Sequence, residues 1–503
     1  MDALLQIIQT FSKSDVSEFT SFINRQKHKK NRKDLELFWL FQKEGALKQE
    51  EVLMRLYPDG NRVAYHALRK KLIKHLCDYI FFKQLREDDT AETQIAAYIS
   101  LARYLMDYGI ISSAWKYLKK AEQMAVNVEL FTLANQILRI QLEMPLRELN
   151  QEIDQLIDKK EKYFKLAIED DRADTAYKII QYYLKTSKTQ FDGPDMHMVI
   201  KKTLSDYELN KALSRRPSMV YKLMSIARSA AKSGKDYYSF EPLLLSYYTK
   251  MELSHQPKAR DKVYVARLQY MIAHTLFRNK KFAQSLDYLH ILREQLRGIV
   301  RTEYVKLLPR FTQLFCATRF FTGHIDEAIR IADATFMEKL KLQPEDVLNL
   351  KLNQAIYHFF NRDFKVAARI LISIGHSNTW CTKVAGVEWV IKKDLLEIFI
   401  QFELGHLDIA SNKVRSILRQ KDRFVTLPQF ERVMVFLKLV KLVIDDPSVA
   451  ETADFDRAVE QGFDWIPIER EDLHASVYYA WLKSKIVKAD AYTVLLDLIS
   501  IEH

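Results

Sequence analysis

Apolar residues return every third or fourth position along nearly the whole chain, the spacing that lines one face of an α-helix. The helices this pattern predicts also repeat. A small residue is followed twelve positions later by another at Ala102 and Ala114, Ala227 and Ser239, Ala273 and Ser285, Cys316 and Ala328, and Ala355 and Ala367; a sixth copy, Ile398 and Ala410, keeps the second small residue alone. Seven positions after the first member stands Gly109, Gly234, Gly323 or Gly405 in four copies. Two further on is an apolar residue in five: Ile111, Phe282, Ile325, Phe364 or Leu407. Two antiparallel helices approach closely where both carry small side chains, a glycine ends the first in a left-handed turn, and an apolar residue after it staples the loop. Each copy therefore predicts a helical hairpin.

Between 120 and 226 the frame is harder to follow. Periodicity there predicts helices over Leu130–Leu142, Leu146–Ile168, Ala173–Lys185 and Met196–Ala212, with Pro145, Pro194 and Pro217 at boundaries. From 451 onward an acidic stretch precedes two closing helices, Leu473–Val487 and Ala489–Ile501, with Tyr478 and Trp481 facing inward. They suit the cap that a terminal repeat needs.

The first ninety residues leave the frame. A helix from Ala3 to Phe11 meets a cap at Ser12 or Ser14, with Glu18 suited to a capping box. A second helix ends in the basic run Arg25, Lys27, Lys29, Lys30, Arg32, Lys33. Leu35–Glu44 and Lys48–Leu56 follow, and Asn61 caps a long basic helix to about Leu85 that carries Arg62, Arg69, Lys70, Lys71, Lys74 and His75.

The hairpin frame resembles the tetratricopeptide repeat, most clearly in Leu101-Ala102 through Tyr104-Leu105, Gly109, Ala114, Leu118 and Ala121. It departs from that family in spacing, 39 to 46 residues from 227 onward against about 34 in the standard repeat, and in lacking most of the consensus prolines. The resemblance implies an all-α fold: a right-handed α-solenoid of stacked hairpins over 91–450, with an N-terminal helical domain over 1–90 and capping helices over 451–503. Residues 35–80 resemble the helix-turn-helix part of a winged-helix DNA-binding module, which some bacterial transcription activators join to tetratricopeptide repeats. The wing is missing, since Lys83-Gln84-Leu85-Arg86-Glu87-Asp88-Asp89 has no strand-like alternation. Phe11-Ser12-Lys13-Ser14-Asp15-Val16-Ser17-Glu18-Phe19 and Trp481-Leu482-Lys483-Ser484-Lys485 are also similar to segments of uncharacterised bacterial helical-repeat proteins.

Composition agrees with long helices joined by short loops. Eleven Gly and eleven Pro in 503 residues are about 4%, where average usage gives about 12%. A net charge of +12 divides into +4 over residues 1–90, −6 over 451–503 and +14 between, so the middle of the chain should attract an acidic partner or a nucleic acid. An acid at position 2, polar breaks in every apolar run and the lack of about 18 consecutive apolar residues predict a cytoplasmic protein without a membrane anchor. Cys77, Cys316 and Cys381 are too scattered for disulfides or zinc and read as buried thiols.

Catalytic signatures are missing from the sequence. No two glycines lie within ten residues of each other, so a phosphate-cradling loop and a dinucleotide fingerprint are excluded, and no cofactor is implied. Met196-His197-Met198 points in three directions on a helix and reads as a buried Met pair with a peripheral His. Glu169-Asp170-Asp171 and Asp445-Asp446 read as solvated or capping residues at helix ends.

In tetratricopeptide arrays the first helix of each hairpin lines the concave surface. Carried onto this chain, that implies a partner groove of Arg267, Tyr270, His274, Arg278, Arg310, Gln313, Asn349 and Lys392, suited to an acidic segment or a C-terminal carboxylate of a protein or peptide. The expected function is a non-catalytic scaffold. The alternative is a transcription regulator whose N-terminal domain contacts nucleic acid through Lys29, Lys30, Arg32, Lys33, Arg62, Arg69, Lys70 and Lys74.

Overall fold

A computed structural model describes the chain except for residues 1–2, 27–31, 45–48, 88–89, 146–151, 187–195, 235–236, 252–258, 338–341, 420–429, 463–472 and 501–503. The described residues form α-helices and one short 3-10 turn, without strands, and divide into two compact units, Met1–Asp170 and Asp171–His503.

The first unit opens with α1 (Ala3–Gln9), α2 (Lys13–Gln26), α3 (Lys33–Glu44), α4 (Gln49–Leu56) and α5 (Arg62–Glu87). Leu4, Ile8, Phe19, Phe38, Tyr65 and Leu72 are fully buried in one core among these helices. The capping box before α2 uses Asp15 rather than Glu18: the Ser12 backbone N–H donates to Asp15 Oδ2 at 2.9 Å, and the Asp15 N–H to Ser12 Oγ at 3.2 Å. One helical turn separates the two carboxylates, and Asp15 is the one that reaches back to the cap. Asn61 caps α5 as expected, its Oδ1 accepting from the Ala64 N–H at 3.0 Å. A separate core joins α6 (Ala91–Asp107), α7 (Ile111–Asn127), α8 (Phe131–Leu142) and the start of α9 (Ile153–Thr186).

Residues 146–151 lie outside the described chain, and beyond them the two helices expected before Lys185 are a single 34-residue one. Glu169, Asp170 and Asp171 sit inside α9, not at a helix end. Conversely, the single helix expected over Met196–Ala212 is broken into α10 (Met196–Asp206) and α11 (Asn210–Arg215) by Glu208 at φ +54°.

The second unit continues with the hairpins α12 (Pro217–Gly234) and α13 (Tyr237–Thr249), α14 (Ala259–Arg278) and α15 (Phe282–Leu296), α16 (Arg301–Phe321) and α17 (Ile325–Met337), and α18 (Pro344–Phe360) and α19 (Phe364–Ile372). The short α20 (Asn378–Ala385) precedes the pair α21 (Val387–Glu403) and α22 (Leu407–Arg419), and lengthens the spacing at that copy. Each first helix packs on its own partner and on the first helix of the next hairpin.

At five of the six copies the residues twelve apart are buried together. The Ser285 hydroxyl donates to the Ala273 carbonyl at 2.8 Å, so this pair is held by a hydrogen bond as well as by close packing. The exception is Ser239, which is exposed, while its neighbour Phe240 is fully buried.

One turn closes these hairpins. Gly109, Gly323 and Gly405 have φ of +73, +83 and +78°, and in the two copies without glycine Lys280 and Arg362 adopt +59 and +64°. Gly234 is the last residue of α12. In each left-handed case the next N–H donates to the carbonyl five residues back, as in Lys281 to Leu276 at 2.9 Å and His406 to Gln401 at 2.8 Å, the Schellman arrangement. Glu129, Glu208 and Lys488 turn the same corner after α7, α10 and α25 (Leu473–Val487), where sequence offered no glycine to mark it.

After α23 (Phe430–Asp445) and α24 (Ala453–Gly462), α25 and α26 (Ala491–Ser500) form a hairpin laid against earlier first helices. The Trp481 indole stacks on Phe399 of α21 at 3.9 Å and donates to Glu403 at 2.7 Å. Tyr492 of α26 reaches the Phe320 carbonyl of α16 at 2.6 Å. Tyr478 and Trp481 are buried, as the amphipathic pattern predicts, and the hairpin reaches back to α16 as well as to the adjoining α21.

Cys316 and Cys381 are buried, and burial pushes the Cys316 thiol up to about 12. Cys77, by contrast, is exposed, because α5 turns that position away from Leu72, Leu76 and Tyr79. Met198 is exposed as well, so the expected buried Met pair does not form. No helix among the described residues is long and apolar enough to cross a membrane.

Candidate functional site

Three neighbouring first helices of the second unit, α12, α14 and α16, line an open pocket of about 270 Å³. Helical spacing explains how they do it. Tyr221 and Arg228 lie two turns apart on α12; Arg267, Tyr270 and Met271 share a face of α14; Glu303, Lys306, Leu307 and Arg310 share one of α16. Four cations and one carboxylate thus line a single pocket.

Glu303 organises one side of it. Its carboxylate accepts from Arg267 and, at 3.0 Å, from Lys306. Burial pushes the Glu303 carboxyl upward, but these two partners outweigh it and hold the group below the usual value. The Arg267 guanidinium also lies 5.4 Å from the Tyr221 ring centroid and 5.6 Å from that of Tyr264.

On the other side Arg228 sits 6.0 Å from the Tyr270 ring. Burial raises the Tyr270 phenol; Arg228 and Arg310 oppose that rise. Among the described residues neither Arg228 nor Arg310 has a carboxylate within ion-pair distance. Asp346 of α18 lies in the field of Arg310; burial raises its carboxyl and Arg310 counteracts this.

Of the groove residues expected from sequence, Arg267, Tyr270 and Arg310 meet in this pocket. His274 lies one turn along, 6.2 Å from the Tyr270 ring and 6.1 Å from Tyr237. Arg278 rests over Tyr237 at 5.5 Å. Gln313 and Asn349 are half-buried on α16 and α18. Lys392 stands apart, paired with Glu388 at 2.9 Å, and its carbonyl receives the Tyr478 hydroxyl at 3.0 Å.

Sequence reasoning missed Tyr221, Arg228, Glu303 and Lys306. The first two were within reach: Tyr221 stands six residues before Ala227 just as Arg267 stands six before Ala273, and Arg228 follows Ala227 as His274 follows Ala273. Extending the frame one copy earlier finds both. Glu303 and Lys306 lie on the first turns of α16, before the part that repeats.

In the first unit, Lys29 and Lys30 fall outside the described residues. Arg32 and Lys33 are committed to internal bonds: Arg32 donates to the Ile23 carbonyl at 2.6 Å and pairs with Asp34 at 2.9 Å, while Lys33 donates to the Leu56 carbonyl at 2.9 Å. Asp34, with its side chain 1% exposed, also receives Lys71 at 3.0 Å. Burial would raise its carboxyl, yet Arg32 and Lys71 hold it well below the usual carboxylate range. Arg69 folds onto Tyr65, donating to its hydroxyl at 3.2 Å. Arg62, His66, Lys70 and Lys74 form an exposed row at four-residue spacing along α5.

No group of three or more His, Cys, Asp or Glu side chains among the described residues is arranged to hold a metal. No protein-family model matches the chain, and comparison with curated proteins finds no significant relative.

Proposed function

We propose that this protein is a non-catalytic interaction scaffold, a tetratricopeptide-like right-handed solenoid that receives an acidic segment of a partner protein along its first helices. The observation that carries the reading is the convergence of Arg228, Arg267, Lys306 and Arg310 on one pocket in which, among the described residues, Glu303 is the one lining carboxylate. Paired guanidiniums in a half-buried pocket favour carboxylate or phosphate partners, and aromatic neighbours give such a contact shape as well as charge. Repetition of one helix-ending turn and the packing of each first helix on the next support the solenoid reading. Under it, 1–90 is an N-terminal helical domain, 91–450 the array and 451–503 a C-terminal cap, in a cytoplasmic setting.

The test is capture of partners from nuclease-treated lysate of the source cell on full-length protein, followed by titration of the purified partner. Arg228→Ser with Arg310→Ser removes two cations that, among the described residues, have no carboxylate within ion-pair distance, and should weaken binding at least tenfold with helicity unchanged. Undiminished binding would refute the groove.

A second reading, a regulator that contacts nucleic acid through its first unit, draws support from the row Arg62, His66, Lys70 and Lys74. Under it, Arg62→Ser, Lys70→Ser and Lys74→Ser together reduce the salt dependence of duplex-DNA binding by about three phosphate contacts. A wild-type protein that leaves duplex DNA unbound at low salt rules this reading out.

A further inference from the structure

The pocket between α12, α14 and α16 restricts the chemical group it can receive. It is an open pocket of about 270 Å³ lined by four cations, so the group it receives is anionic. Its charges are unequally engaged. Glu303 already occupies Arg267 and Lys306, which leaves Arg228 and Arg310 facing the cavity from opposite flanks of α14. Tyr270, on the helix between them, lines the same pocket 6.0 Å from the Arg228 guanidinium and within the field of Arg310.

A single carboxylate would neutralise one of these two guanidiniums and would offer two acceptor oxygens. A phosphomonoester near neutral pH carries a charge of about −1.5 to −2 and three strong acceptor oxygens. That matches two guanidinium forks and a phenol hydroxyl, donors supplied by three separate helices. Asp346 lies in the field of Arg310 but outside ion-pair distance of it, so it offsets only part of the surplus.

We infer that this pocket is a receptor for a phosphomonoester dianion, held between the Arg228 and Arg310 guanidiniums with the Tyr270 hydroxyl as third donor. The inference rests on the scaffold reading and adds the chemistry of what is recognised. A phosphorylated side chain of a partner and a small phosphate ester present the same group, and the experiment separates them.

The full-length chain is titrated calorimetrically with inorganic phosphate, phenyl phosphate, a glycine-flanked phosphoserine peptide and the same peptide carrying glutamate. The phosphoserine peptide should bind at least tenfold more tightly than its glutamate counterpart. Arg228→Ala and Arg310→Ala should each lower that affinity at least tenfold, and Arg310→Lys, which keeps the charge and loses the fork, should lower it less. Circular dichroism verifies that each variant is folded. A phosphopeptide preferred over phenyl phosphate assigns the source to a phosphorylated protein; equal affinity assigns it to a small ester. Equal binding of the glutamate and phosphoserine peptides, both sensitive to Arg228 and Arg310, would overturn the dianion inference and leave the acidic-segment groove standing. No binding of any phosphate probe to folded wild-type protein would overturn the inference outright.

Discussion

Arg362 and Gly405 turn the same backbone corner, at φ +64° and +78°, one hairpin apart in the array. For glycine the conformation carries no steric penalty, whereas a side chain there costs about 1 kcal/mol.

Arg362 is exposed, so replacing it removes that strain without a packing loss. Arg362→Gly should raise stability by about 0.5 to 1 kcal/mol, and Gly405→Ala should lower it by about 1 kcal/mol. Urea denaturation followed by far-UV circular dichroism measures both. An Arg362→Gly protein less stable than wild type would mean that the side chain contributes more than its backbone costs.

Much of this architecture was legible because the turn is local. Small residues twelve apart, or a glycine between those positions, mark a hairpin from within some twenty residues, and the structure contains those hairpins at Ala102, Ala273, Cys316, Ala355 and Ile398. The pocket was half legible, since Arg267, Tyr270 and Arg310 follow from the frame and Glu303 precedes it. Less accessible were the features that depend on distant partners. Nothing near Trp481 announces Phe399, and nothing in the basic run before α3 announces that Arg32 and Lys33 are spent on the carbonyl ends of neighbouring helices and on Asp34.

Trp481 is fully buried and stacked on Phe399 at an interplanar angle of 14°. Trp481→Ala should cost about 3 to 5 kcal/mol through the cavity it opens. It also removes the indole donor from Glu403, which keeps Lys485 as partner. Faster hydrogen exchange over 473–500 is the expected local signature. Exchange unchanged there would show that the hairpin is held elsewhere.

Asp34 makes the stability of the first unit depend on pH. The folded state keeps this carboxylate ionised to lower pH than the unfolded chain does, so acidification favours the unfolded form. The contribution is complete above about pH 5 and declines as pH drops below about 4, through the depressed folded value. Asp34→Asn leaves Arg32 and Lys71 without their buried partner and should cost about 3 kcal/mol at neutral pH. The gap between wild type and variant should narrow on acidification, as thermal unfolding of the two proteins from pH 7 to pH 3 would record. A gap independent of pH would remove Asp34 from the account.

The two kinds of arginine in the pocket should respond differently to truncation. Arg267→Ala leaves the half-buried Glu303 with Lys306 alone and should destabilise by about 1 to 3 kcal/mol. Arg310→Ala removes an exposed cation with no carboxylate within ion-pair distance among the described residues, and should stay within about 0.5 kcal/mol of wild type. Thermal shift of the two variants in one buffer distinguishes them; equal losses would mean that Arg310 is a structural residue.

The bond from Tyr492 to the Phe320 carbonyl joins residues 172 positions apart. A row of helical pairs that touch only their neighbours can fray from its end, one pair at a time, because each lost pair leaves the others intact. Here α26 is clasped to α16, several pairs back, so α26 cannot peel away without uncovering Phe320, and α25 cannot without uncovering Phe399. The stretch from α16 to α26 is fastened like a belt, and it should melt as one piece.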